Sequence, residues 1–224
     1  MKKLYFTSIL FVFLVTVAWS QGIVTAAQFF DSVSEQYGRI EDYQAKIVIT
    51  QGSKVMEGTI FYKKPNLIRI NFTNPRDQVI VMDGEMLAVY IPQQSVILTQ
   101  KLKKHSTGEL SAMASQQGLN LFKRGYSIAY LIGPDPVPLD DKNPEKVRKL
   151  KLEWRSTDEG FREIEMSIGE NGYIRRLVGV TANFETFTYD FIDLKVNQNI
   201  PEARFKYDFP PSAYQINNFL FPED

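Results

Sequence analysis

The sequence predicts an α+β fold in which about eleven short strands form one curved antiparallel sheet capped by helices. Three observations carry this. Period-2 runs of branched and aromatic residues recur along most of the 224 residues. The turns between them are chemically explicit, and helical spacing shows only near the start and in the middle.

The chain opens Met1-Lys2-Lys3, runs uncharged from Leu4 to Val17 and reaches Ala18-Trp19-Ser20, the layout of a secretory leader cleaved after Ser20. The run falls short of the ~20 residues a spanning helix needs. Residues 21–224 are then expected to be one soluble domain. From Thr25 to Tyr37 the residues Ala26, Phe29, Phe30, Val33 and Tyr37 repeat at three and four, with Gly38 just beyond as a C-cap, so an amphipathic helix is expected. Its stripe packs on the sheet, and Phe30 would also line one wall of a ligand space.

Asp42 to Gln51 alternates Tyr43, Ala45, Ile47 and Ile49, the first strand. A meander follows from Glu57 to Gln100. Its runs are Gly58 to Lys64, Leu67 to Phe72, Gln78 to Met82, Met86 to Ile91 and Ser95 to Thr99. The turns are Pro65-Asn66, Asn74-Pro75-Arg76-Asp77, Asp83-Gly84 and Pro92-Gln93-Gln94. Proline removes a backbone donor, and Gly84 supplies positive φ to a two-residue hairpin.

Lys101 to Lys104 reads as a solvated basic run, and Thr107 to Gln117 as a short helix. Leu119 to Ile132 suits either a helix or a strand, and three prolines between Pro134 and Pro138 end it. Leu139 to Pro144 reads as a polar loop. Strands return at Arg148 to Arg155, with Leu150, Leu152 and Trp154 on one face, and at Phe161 to Ile168. Asn171-Gly172 turns the chain into Tyr173 to Val180. One or two more strands fall in Asn183 to Val196, and Arg204 to Phe209 is expected to close the set.

Enzymatic readings find little support. The single histidine, His105, stands in a polar segment, and cysteine is absent, so neither a Ser-His-Asp arrangement nor a zinc site is expected. Asp140-Asp141 and Asp158-Glu159 read as solvated turn residues rather than an acid/base pair or calcium site. Lysine plus arginine and aspartate plus glutamate number 26 each. Losing Lys2 and Lys3 with the leader leaves the mature chain two charges negative, with no basic stripe for nucleic acid. No cofactor is expected, and absence of cysteine also excludes lipid attachment at an N-terminal cysteine.

What the sequence offers is apolar surface beyond one sheet's needs. Phe61, Ile68, Ile70, Phe72, Ile80, Met82, Met86, Ala88, Tyr90 and Ile97 lie on strands that are not clearly polar on either face. A filled core accounts for each residue singly. Two or three short helices are few to cover about eleven strands, so part of the face is expected to form a cavity. An acyl chain of some fourteen carbons would gain on the order of 10 kcal/mol there, at about 0.8 kcal/mol per methylene.

Several of these features occur together in one family. A glycine-led strand at Gly58, a basic residue before Pro65-Asn66, a DG hairpin within Val79 to Gly84, a Tyr-x-Pro strand end at Tyr90 to Pro92 and the Ala203 to Pro211 tail follow one another. In this order they resemble the periplasmic outer-membrane lipoprotein carriers, the LolA family. The resemblance implies a half-open antiparallel β-barrel with a helical lid over a hydrophobic cavity, in a periplasmic, monomeric, non-enzymatic carrier. Its partners would be acylated lipoproteins, an inner-membrane lipoprotein-releasing ABC transporter and an outer-membrane acceptor.

The resemblance also implies that Phe61, Ile68, Ile70, Phe72, Met86, Ala88, Tyr90 and Phe30 line the acyl cavity. It places Lys64 where the family carries an arginine that holds the lid by its backbone. Lysine has three donors and no planar fork, so it would be the looser latch. The alternative is a lipid- or lipoprotein-sensing regulator, or a glycolipid binder, of the same fold.

Overall fold

The computed structural model describes residues 24–102, 115–157 and 159–220. The leader, His105 and most of the expected helix from Thr107 to Gln117 lie outside these residues.

The first helix, α1 (Ala26–Gly38), starts on a reciprocal cap. Thr25 Oγ1 accepts from the Gln28 amide at 3.2 Å, and Gln28 Oε1 accepts from the Thr25 amide at 3.0 Å, so two orphan donors are satisfied at once. Phe30, Val33 and Tyr37 form its buried face, as the three-and-four spacing requires.

Two antiparallel meanders make the sheet. The first contains β1 (Asp42–Gln51), β2 (Lys54–Lys63), β3 (Leu67–Asn74), β4 (Val79–Met82), β5 (Met86–Ile91) and β6 (Val96–Lys101). The second follows α2 (Gln116–Gly125) and comprises β7 (Tyr126–Tyr130), β8 (Val137–Asp140), β9 (Asn143–Trp154), β10 (Phe161–Gly169), β11 (Ile174–Thr181) and β12 (Thr186–Val196). They join where β1 pairs with β12, setting Ile47 opposite Phe191. A last strand, β13 (Tyr214–Asn217), lies parallel to β6 at one edge, and β7 and β8 lie beside β9 at the other, so the sheet curls without closing.

Turn chemistry sets the registers. Asp83 Oδ1 accepts from the amides of Glu85 and Met86 at 3.0 and 2.8 Å, and Gly84 sits at φ +97°, so the hairpin reverses without strain. Gly172, at φ +78°, does the same between β10 and β11.

Four expectations are corrected. Among the described residues, thirteen strands stand in place of about eleven. Leu119 to Ile132 is neither helix nor strand throughout: α2 ends at Gly125 and β7 begins at the next residue, because that glycine breaks the helical stripe. Leu139 to Pro144 is not a loop, since β8 and β9 form a tight hairpin there around Asp140. Its Oδ1 accepts from the Lys142 and Asn143 amides, each at 2.9 Å. Finally, Arg204 to Phe209 is no strand. It is a 3-10 turn (Glu202–Phe205) and an extended segment lying across the sheet, and the closing strand is β13.

Candidate functional site

The strand registers stack the side chains of one sheet face into rows. Tyr43, Tyr62, Ile68 and Met82 form the first row; Ala45, Ile60, Ile70 and Ile80 the second; Ile47, Gly58 and Phe72 the third, with Phe191 beside Ile47. Next come Ile49, Met56 and Tyr189, and last the rim of Gln51, Lys54 and Phe187. This is the inner face. Its first rows share one buried cluster with Phe30, Val33 and Tyr37 of α1 and Leu119 and Phe122 of α2. The second meander continues it through Leu150, Leu152, Ile164, Met166 and Leu177.

Burial falls along the rows. Ile70 is wholly buried and Ile47 is 1% exposed, while Ile49, Met56 and Phe187 are half-buried and Lys54 is exposed. At that end, away from α1's C-terminal turn, lies a mainly apolar cavity of about 350 Å³ lined by Ile49, Gln51, Lys54, Val55, Met56, Pro75 and Phe187. Gly58 tightens the passage beneath it. Its backbone crosses so near Asn71 that a Cβ would collide with the Asn71 carbonyl, so β2 and β3 approach there as no other residue would allow.

The opposite end is held shut. Tyr37 Oη accepts from the Ile174 amide at 3.0 Å and Gln36 Nε2 donates to the Asn171 carbonyl at 2.8 Å, while before the first turn of α1 Tyr130 Oη donates to the Val24 carbonyl at 3.0 Å. Lys123 Nζ pairs with Asp31 at 2.5 Å, joining α2 to α1. Lys64 Nζ donates to the Gly38 carbonyl at 3.1 Å and meets Glu41 Oε1 at 3.4 Å. The basic residue before Pro65 therefore does reach a helix backbone, at the C-terminal end of α1. Burial pushes the Tyr37 and Tyr43 phenols well up, and that of Tyr62 up to about 12.

The eight residues expected to line one cavity are divided between two faces. Ile68, Ile70 and Phe72 lie on the inner face and Phe30 packs into their cluster. Phe61, Met86, Ala88 and Tyr90 lie on the outer face: Phe61 is opposite Arg69, Ala88 opposite Val81, and Tyr90 opposite Val79, all one position out of phase with the inner rows.

The outer face is apolar because the C-terminal segment covers it. Asp42, 3% exposed, accepts from the Gln198 amide at 2.7 Å and the Ile200 amide at 3.0 Å. Lys63 Nζ donates to the Ile200 carbonyl at 2.7 Å. Arg69 Nη1 donates to the Arg204 and Lys206 carbonyls at 3.0 and 3.1 Å, and its guanidinium lies 5.0 Å from the Tyr207 ring. Tyr90 packs against Tyr207 and Phe209 at 6.3 Å each. Residues 198–209 thus form a strap.

Sequence reading missed the mouth residues Met56 and Phe187 and the wall of Phe161 and Tyr189. The alternation Phe187, Tyr189, Phe191 is a usable signal on β12.

The family described as outer membrane lipoprotein carrier protein LolA matches residues 47–208. An outer-membrane lipoprotein carrier protein of Yersinia enterocolitica is 30% identical over 208 residues, covering 88% of this chain and 93% of its own. One from Serratia proteamaculans is 23% identical over 155 residues, covering 69% and 67%. In fold, an uncharacterised conserved protein from Thermus thermophilus superposes with a TM-score of 0.55 at 14% identity, over 85% of this chain and 98% of that one. The Pseudomonas aeruginosa MucA/MucB complex contains a chain with a TM-score of 0.51 at 10% identity, over 82% of this chain and 61% of that one.

Proposed function

The chain belongs to the LolA family of outer membrane lipoprotein carriers, and from that premise we propose that it is a periplasmic carrier that holds the acyl chains of lipoproteins against its inner face. The observation that supports this most is the row order: a wet rim at Gln51 and Lys54, half-buried apolar walls at Ile49, Met56 and Phe187, and a sealed floor at Tyr43 and Tyr62. A chain with a polar head and an apolar tail fits that gradient in one orientation only. Each methylene leaving water favours the tail by about 0.8 kcal/mol.

In this reading the protein does no covalent chemistry. It receives acylated lipoproteins from an inner-membrane ABC transporter, which supplies the energy, and yields them to an outer-membrane acceptor. Lys64 is the latch on α1, looser than an arginine would be.

The test is mass spectrometry of organic extracts from the mature protein, purified from its native periplasm without detergent, beside a Met56→Glu variant. Acylated polypeptides with the parent and none with the variant are the expected result. Free lipid in their place would favour a lipid-sensing or glycolipid-binding protein, and empty extracts from both would reject carriage. Met56 serves better than Ile68, because Ile68 is 2% exposed and a carboxylate there would be buried without a partner.

A further inference from the structure

Beneath the mouth lies a second space. Phe122, Phe161, Ile164, Leu177, Gly179 and Tyr189 line an apolar crevice too narrow for a water molecule. Phe187 belongs to the mouth, yet it touches two walls of the crevice. Its ring lies 6.3 Å from that of Phe161 at 68° and 6.4 Å from that of Tyr189 at 18°. No residue lines both spaces.

Gly179 explains how the crevice stays shut without being filled. The Phe161 ring lies 2.7 Å from where a Gly179 Cβ would stand, so this aromatic rests in the space of a missing side chain. The wall is one movable ring over bare backbone. Opening it breaks ring contacts, which a methylene chain would restore.

We propose that Phe187 is a gate between mouth and crevice, and that the two together take one acyl chain tail first, with an acidic or carbonyl head at Lys54. Lys54 is exposed on the rim of the mouth and has no ion-pair partner among the described residues. A carboxylate or ester head placed there keeps its water and gains a cation, while the tail passes Phe187 toward Leu177. This rests on the carrier reading and makes it specific: chain length is measured by the crevice, not by the mouth.

The experiment uses delipidated mature protein and saturated fatty acids graded from decanoate to stearate, displacing a fluorescent fatty-acid analogue. In the parent, affinity is expected to rise by about fourfold per added methylene up to the longest chains, because the tail continues past the mouth. Gly179→Val, which props Phe161 into the crevice, should flatten that rise beyond the shorter chains. Phe187→Ala removes part of the mouth wall and should loosen every length, but it should speed association and release of stearate several-fold more than those of decanoate. Lys54→Ala should weaken all lengths by one common factor.

A thermal melt confirms that each variant is folded, and Phe187→Ala carries the test alone if Gly179→Val is not. The gate is overturned if Phe187→Ala alters decanoate and stearate rates alike, or if folded Gly179→Val keeps the parent's length dependence. Failure of the parent to bind any fatty acid would instead overturn the carriage of acyl chains, and the gate with it.

Discussion

Tyr37 and Lys64 hold the same end of α1 by bonds of different worth. The Tyr37 phenol is 3% exposed and accepts from the Ile174 amide, so Tyr37→Phe leaves a buried donor unpaired, a loss of about 1–3 kcal/mol. The Lys64 side chain is 40% exposed, and a pair so wet contributes ~1 kcal/mol or less. Tyr37→Phe should therefore lower the urea midpoint more than Lys64→Ala, with unchanged denaturant slope. The proposed latch role is separate and kinetic: Lys64→Ala should release a bound acyl probe faster than Lys64→Arg, and equal rates would dismiss it.

The buried phenols also set a response to alkali. Burial raises Tyr37, Tyr43 and Tyr62 above the ordinary value of 10.0, so the folded chain keeps protons that the unfolded chain sheds. Their contribution is complete below pH 10 and falls as pH climbs toward the raised folded values, about 12 for Tyr62. Urea midpoints measured between pH 9 and roughly 11 should drop more steeply in the parent than in Tyr37→Phe.

At the scale of elements, the turns were legible and the strap was not. In Asp83-Gly84 and Asn171-Gly172 the side-chain oxygen of Asp83 or Asn171 accepts from an amide two residues on, so local sequence reveals them. Phe205, Tyr207 and Phe209 alternate as a strand would, yet the Arg69 guanidinium takes carbonyls of this segment that a neighbouring strand would have taken. The same strap explains the split of the expected cavity residues. Phe61, Ala88 and Tyr90 look like core because they are covered from outside, and period-2 spacing separates faces without saying which face is inner.

Asp42 anchors the strap at its start. Replacing it by alanine leaves the half-buried Gln198 amide and the buried Ile200 amide without their acceptor. In Asp42→Ala, limited proteolysis is expected to cut within residues 198–213 while the two meanders resist. Cutting spread evenly through the strands would show that the strap is part of the sheet's own stability.

Over the whole molecule, two meanders share one curled sheet whose inner face is sealed at α1 and open at the β1–β2 end. The outer face is bound by the strap and, beside β12, by an ion-pair group in which Arg176 meets Asp190 at 2.8 Å and Asp140 at 2.7 Å. That pairing and the amides of the β8–β9 turn hold the Asp140 carboxyl below its usual range. Asp140 thus braces the wall rather than standing free as a turn residue. A wall stiff outside and apolar inside suits the proposed admission and release of an acyl chain.

The inner face as the seat of acyl chains is the central claim, and side-chain alternation on β2 gives its most direct test. A photo-crosslinking amino acid is placed in living cells at Met56, which faces inward, and separately at Glu57, the next residue, which faces out to pair with Lys46 at 3.1 Å. Acylated lipoproteins captured from position 56 and not from position 57 are the expected result. Equal capture from both positions, or capture from 57 alone, would contradict the account.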